Sequence, residues 1–299
     1  MKNIAFIINP IAGTKNKRRL PKLIDKLIDK QQWAVDVVFT EYQHHATELA
    51  EQYARLGFDA AVAVGGDGTV SEVAAGLRGT DCALGIIPMG SGNGLARHLG
   101  VPLNTNRAIE FINRSEKIVA DYGMVNEQPF FCTCGVGFDA YIANKFARAG
   151  KRGFSTYLQS IVLDFRSYQP QHYTLRFRCA PDEEFTQMET DAFLITFANA
   201  NQWGNAAYIA PKASIQDGLF DIAILSKFPL RAVPKLAFRL FEKTIDDSLY
   251  MSTIHAAEIE LIRQEAGPFH YDGDPLQLGT NIQIRIVKDG IKMLALKRF

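Results

Sequence analysis

A chain of 299 residues is about twice an ordinary domain, so one large domain or two ordinary ones would fit it, and two is the expectation. With 47% hydrophobic and 22% charged residues it has the apolar content for a sizeable core, which excludes a disordered chain. A formal charge of only +1 argues against nucleic acid as the main partner, because phosphate-backbone affinity needs a concentrated excess of Lys and Arg.

The first residues run apolar but stop at Asn9-Pro10 with no cleavage site, so they predict a strand over 4–8 and not a signal peptide. Leu20, Leu23, Ile24, Leu27 and Ile28 then recur at helical spacing as one apolar stripe. A strand over 35–39 follows, then a helix carrying Leu49, Ala50, Tyr53 and Ala54, and a continuously apolar strand over 60–64. Val70, Val73, Ala74 and Leu77 mark another helix, and 83–88 another strand. Such alternation predicts an α/β domain with a parallel sheet covered by helices.

From about Asp121 the texture changes to aromatic and β-branched runs of strand length, at 130–133, 173–178, 193–197, 220–225 and 259–262. They predict a mostly antiparallel, sandwich-like β domain, interrupted by helical patterns over 155–165 and 232–241. Two closing strands are expected over 282–287 and 291–296. The domain expectation is therefore residues 1–122, rejoined by about 288–299, and residues 123–287.

No run approaches the roughly 18 apolar residues that cross a bilayer, so lipid would be met from the water side. Four cysteines are too few for a disulfide scaffold in a chain this long and fit a reducing, cytoplasmic setting. Cys132 and Cys134, two apart in an apolar run, would share one face of a strand and read as core residues.

Gly65-Gly66-Asp67-Gly68-Thr69 lies between a buried strand and a helix. Glycines let a backbone approach a polyphosphate, amides at a helix start donate to its oxygens, and a carboxylate at Asp67 can hold Mg²⁺ on them. The alternative is a tight turn with Asp67 as N-cap. Two further loops end predicted strands, Asn9-Pro10-Ile11-Ala12-Gly13 and Pro88-Met89-Gly90-Ser91-Gly92-Asn93. Three phosphate-compatible loops on one sheet edge exceed what turn chemistry requires. Neither GxxxxGK(S/T) nor GxGxxG is present, which excludes a P-loop enzyme and a dinucleotide-binding Rossmann domain.

The segments Asn9 to Gly13, Gly65 to Glu72 and Gly90 to Asn93, in this order, resemble the diacylglycerol kinase catalytic family, which includes bacterial lipid kinases and is related to the sphingosine kinases. The match continues through Asp121-Tyr122-Gly123 with Asn126, Gly135-Val136-Gly137-Phe138-Asp139, Ala210-Pro211-Lys212-Ala213, Asp217-Gly218-Leu219-Phe220-Asp221 and Asp272-Gly273-Asp274-Pro275. The resemblance implies transfer of the γ-phosphoryl group of ATP to a lipid hydroxyl, in a cleft between two domains. It implies ATP contacts at Asn9, Pro10, Ile11, Ala12, Gly13, Thr40, Gly65, Gly66, Asp67, Gly68, Thr69, Val70, Ser71, Glu72, Ser91 and Asn93, and a structural Mg²⁺ at Ser214, Asp217 and Leu219 through oxygen ligands. Without the family, Thr40 reads as a capping residue and Asp217-Gly218 as a turn.

The family's base is acidic in a DGE motif, and here that position is Asp274. Asp is one methylene shorter than Glu, a loss of roughly 1.5 Å of reach that could hand the role to Asp272. Ser71 and Asn205-Ala206 are further departures. The two carboxylates, two apart in an extended segment, would share one face. Lys15, Lys17, Arg18 and Arg19, and Arg148, Lys151 and Arg152, are candidate contacts to anionic headgroups, or solvated charges; Lys15 could instead help bind the triphosphate. A nicotinamide-nucleotide kinase shares Gly65–Thr69, and a non-catalytic ATP- or lipid-binding regulator would fit the departure at Asp274. The acceptor, diacylglycerol, a sphingoid base or another lipid alcohol, is left open, as is the oligomeric state, with a homodimer among the options.

Overall fold

The computed structural model describes residues 1–13, 17–148, 164, 165 and 167–297, the side chains of 146–148 excepted. Most of the helix expected over 155–165 lies outside these, as do Lys15, Lys151, Arg152 and the side chain of Arg148. The chain divides into two compact units, Met1–Asp121 with Lys288–Phe299, and Tyr122–Val287.

In the first unit β1 (Lys2–Ile8), α1 (Leu20–Leu27), β2 (Trp33–Phe39), α2 (His45–Arg55), β3 (Ala60–Gly65), α3 (Asp67–Leu77) and β4 (Ala83–Pro88) alternate as the apolar periods require. The strands lie in the order β2-β1-β3-β4, all parallel. β3 and β4 are buried at every position, which is why they read as unbroken apolar runs with no alternation. Right-handed crossovers in this order put α1 on one face of the sheet and α2 with α3 on the other; α2 and α3 pack together, and α1 packs on α5 (Thr105–Arg114). A short helix, α4 (Gly94–His98), precedes α5, and β5 (Glu116–Val125) leads out of the unit.

The second unit is a two-sheet β structure. One sheet runs β12 (Met251–Ala256), β11 (Phe220–Leu225), β10 (Leu194–Ala198), β7 (Thr133–Gly137), β14 (Gly267–Tyr271), β15 (Asp274–Leu278), antiparallel throughout. In the other, β16 (Asn281–Ala295), β13 (Glu258–Arg263), β8 (Gln171–Arg178) and β9 (Thr186–Ala192) pair antiparallel, and the short β6 (Gln128–Phe130) pairs with the end of β5. Phe197, Phe220 and Phe269 from one sheet and Phe130, Tyr173, Leu175, Ile259 and Ile284 from the other fill one buried core, as facing sheets do. A second core around Phe138, Phe193 and Leu225 takes up α6 (Phe138–Arg148) and α7 (Val233–Phe241).

Three expectations change. Residues 130–133 are not one strand: β6 ends at Phe130 and β7 starts at Thr133, because the backbone N–H groups of Phe131, Cys132 and Thr133 turn to the Asp272 carboxylate instead of a ladder partner. Cys132 and Cys134 are buried as expected but do not share a strand. The two closing strands are one, β16, of 15 residues. Its Lys-Asp-Gly signal at 288–290 is absorbed by Asp289 in a left-handed conformation (φ 54°), whose N–H donates to the buried Asp121 carboxylate at 2.8 Å.

Candidate active site

The strand order of the first unit reverses between β1 and β3, and at such a point the loops leaving the carboxyl ends of neighbouring strands part and open a ligand crevice. The loop after β1 and the loop after β3 flank it. Asn9 bridges them, its Nδ2 donating to Thr69 Oγ1 at 3.0 Å while its Oδ1 accepts the Ile11 N–H at 3.1 Å. Thr40 ends β2 on the same edge, buried, with its N–H on the Ile8 carbonyl.

The loop after β4 joins through bare backbone. A Cβ on Gly90 would lie 2.6 Å from the Gly66 Cα, and one on Gly13 2.2 Å from the Met89 carbonyl oxygen, so no other residue fits either place. Asp67 ties the arrangement: its two carboxylate oxygens accept the N–H groups of Asn93 and Gly94, each at 2.8 Å. The N-cap of α3 is Gly66, so Asp67 caps the next helix, α4, and not its own. Each oxygen keeps a second lone pair available to a cation. Asn93, buried and left-handed at φ 53°, closes its loop on Gly90, accepting the Gly90 N–H at 3.0 Å and donating to its carbonyl at 2.8 Å. Ser91 and Gly68 are exposed. Val70 is buried with its N–H engaged by the Gly66 carbonyl, and the Glu72 carboxylate accepts the His44 N–H at 3.3 Å.

In the second unit the sequence Tyr271-Asp272-Gly273-Asp274 makes a two-residue hairpin turn, Tyr271 opposite Asp274. Asp272 and Gly273 both take positive φ (47° and 89°), as a type I′ turn demands. Asp272 and Asp274 therefore do not share a face. The Asp272 carboxylate accepts N–H groups from Phe131 (2.9 Å), Cys132 (2.7 Å) and Thr133 (3.2 Å), and its own N–H donates to the Thr133 carbonyl. Asp274 is exposed at the start of β15. Burial first, then the charges of Asp274 and Asp272, push the Tyr271 phenol up.

Ser214, Asp217 and Leu219 lie in one turn, where Asp217 Oδ1 accepts the Leu219 N–H at 3.1 Å and Ser214 Oγ accepts the Gln216 N–H at 3.2 Å. Burial raises the nearby Asp221 carboxyl; His255, 2.8 Å away, opposes this, and Asp217 and Asp246 add to it. One oxygen of Asp246 is buried and has no hydrogen-bond partner among the described residues. An all-oxygen donor set beside surplus negative charge fits a hard divalent cation.

Residues 3–125 match the model of the diacylglycerol kinase catalytic domain, and residues 132–290 that of the YegS C-terminal NAD kinase beta sandwich-like domain. A protein of Chromohalobacter salexigens named "Probable lipid kinase YegS-like" is 32% identical over 76% of this chain and 73% of its own length. The chain belongs to the YegS-like lipid kinases of the diacylglycerol kinase family. A "Probable lipid kinase YegS" of Escherichia coli is a further relative, 27% identical over 89% of the chain and 88% of that protein. A crystal structure described as a diacylglycerol kinase of Bacillus anthracis shares the fold, with a TM-score of 0.74, 22% identity and 98% and 96% of the two chains covered.

In this family member the sequence motifs after β1, β2, β3 and β4 converge on one edge, while the Asp272 carboxylate holds the backbone of residues 131–133. Lys17 is 4% exposed, so it does not meet a headgroup surface as the sequence had allowed. Two features had no signal in the sequence. Arg97 Nε donates to the Gly92 carbonyl at 3.1 Å and steadies the loop from inside α4. Buried His270 places Nε2 2.9 Å from Asp139 Oδ2, which also accepts from Thr196 Oγ1 at 3.3 Å. Asp139 stood in a noted motif, but its partners are 131 and 57 residues away.

Proposed function

We propose that this chain transfers the γ-phosphoryl group of ATP to a hydroxyl of a lipid alcohol such as diacylglycerol or a sphingoid base, with Mg²⁺ as the metal. The observation that carries the reading is the Asp67 tie, which fixes the loop after β4 against the loop after β3 at the switch point of the sheet. Backbone amides at the start of α3 face the phosphates there, and the positive end of the helix favours their charge. Preorganised donors of this kind stabilise the transferring phosphoryl group at no reorganisation cost.

Asp274 takes the acceptor's hydroxyl proton as the oxygen bonds to the γ-phosphorus and the bridging bond to ADP breaks in line. Asp274 is preferred over Asp272 as the base because the Asp272 carboxylate is held in place by three backbone amides. The Ser214 hydroxyl, the Asp217 carboxylate and the Leu219 main-chain carbonyl would hold a structural Mg²⁺, whose contribution is charge neutralisation in an acidic turn.

The test is incubation of purified protein with labelled ATP, Mg²⁺ and a panel of lipid alcohols, with NAD as a separate arm. Label transferred to a lipid hydroxyl supports the reading; label on NAD alone replaces it with a nicotinamide-nucleotide kinase. ATP bound but never consumed, with any lipid, would leave a regulator.

A further inference from the structure

The helix α7 (Val233–Phe241) carries hydrophobic side chains on two faces, and only one of them is needed by the fold. Leu236 is buried in the second core, and Ala232 and Leu240, four residues to either side, pack against it. On the outer side Phe238 is 65% and Phe241 52% exposed, one helical turn apart. Leu230, just before the helix, is 46% exposed, and Leu249, just after, 98%. Single exposed apolar residues are ordinary on any surface, but four within twenty positions, two of them Phe, on and around one short helix are not.

The charges around these side chains point to the occupant. Residues 227–249 hold five basic side chains, Lys227, Arg231, Lys235, Arg239 and Lys243, against Glu242, Asp246 and Asp247, and all three acids come after the helix, whose own span and approach carry only positive charge. Arg239 is engaged at the helix end, donating to the Thr244 carbonyl, and Lys243 lies over the Tyr208 ring. Arg231 and Lys235 are exposed beside Phe238 and form no ion pair or hydrogen bond among the described residues. Exposed aromatics flanked by exposed cations, on a helix anchored by its opposite face, match the chemistry of an interface between anionic headgroups and acyl chains.

We propose that the outer face of α7, with Leu230 and Leu249, docks the protein on an anionic lipid surface, Phe238 and Phe241 entering the headgroup boundary and Arg231 and Lys235 meeting the phosphates. This rests on the reading of the protein as a lipid kinase, since an enzyme whose substrate sits in a bilayer must reach it from the water side. No helix among the described residues is long and apolar enough to cross a membrane.

The experiment is sedimentation of the full chain with phosphatidylcholine vesicles and with phosphatidylglycerol-rich vesicles, beside phosphorylation assays on short-chain dispersed lipid alcohols. Wild-type protein is expected to bind the anionic vesicles selectively. Phe238→Ser with Phe241→Ser should weaken that binding about tenfold or more. Arg231→Gln and Lys235→Gln should each weaken it about fivefold, an effect that fades in high salt. All four side chains are exposed, so the variants should keep the wild-type melting temperature and the wild-type rate on dispersed acceptor. Vesicle binding unchanged in the double Phe variant would overturn the proposal while leaving the kinase reading intact. If α7-dependent binding is present but no lipid alcohol is phosphorylated, the kinase reading fails and the docking surface stands. Loss of a dimer in analytical ultracentrifugation, with vesicle binding unaffected, would assign the face to a second copy of the chain and reject the membrane.

Discussion

The Asp272 carboxylate accepts three consecutive backbone N–H groups, and its loss would leave those donors without partners at the point where β6 gives way to β7. Asp272→Ala should therefore cost about 2–4 kcal/mol of stability in denaturant unfolding, whatever it does to activity. Asp274 is exposed at the start of β15, so Asp274→Asn, which keeps the side chain's size, should hold the wild-type melting temperature while kcat falls roughly 10²- to 10⁴-fold. Asp274→Glu should retain substantial activity. An Asp274→Asn enzyme of unchanged kcat would remove that residue from the mechanism. A second expectation at this scale concerns the four thiols. Cys82, Cys132 and Cys134 are buried and Cys179 is exposed. Burial pushes the Cys82 thiol up to about 12 and raises the Cys134 thiol well above the ordinary thiol range. Ellman titration of the native protein at pH 8 should modify one thiol promptly and the other three only after unfolding; rapid reaction of two or more would contradict the packing.

Between elements, Asp67 links the start of α3 to the start of α4. Asp67→Ala should thus damage ATP affinity and turnover together, lowering kcat/KM by at least about a hundredfold while the parallel sheet survives by circular dichroism. A folded variant with near wild-type kinetics would deny the tie any catalytic weight. The turn holding Ser214, Asp217 and Leu219 carries excess negative charge, which a cation bound only in the native state would relieve. EDTA should lower the melting temperature of the wild type and change that of Asp217→Ala little; equal curves with and without chelator would rule out a structural metal there. The elements themselves were largely legible. The helices over 20–27 and 67–77 and the strands over 60–65, 83–88 and 220–225 follow from apolar spacing, because each buries a face or a whole strand against a core. The break at 131–132 and the continuity of β16 were not, since each depends on a carboxylate distant in sequence, Asp272 and Asp121.

For the molecule as a whole, ATP should be felt in one unit first. Hydrogen exchange in the presence of a non-hydrolysable ATP analogue should slow amides in the loops after β1, β3 and β4, around 9–13, 65–70 and 90–94. Protection confined to residues 122–287 would refute the nucleotide assignment. The division of labour between sequence and structure has the same physical root as the errors above. Local patterns determined the alternation of strands and helices, the change to β texture near Asp121 and the family motifs, because spacing of apolar side chains and glycine turn chemistry act over a few residues. What stayed hidden was every role set by a partner far along the chain. Only the tertiary structure turned Asp67 toward the amides of Asn93 and Gly94, locked Asp272 onto 131–133 and left Asp274 at the surface, and buried Lys17 while baring Phe238 and Phe241. A carboxylate's chemistry depends on which donors surround it, and those donors arrive from elements that only folding brings together.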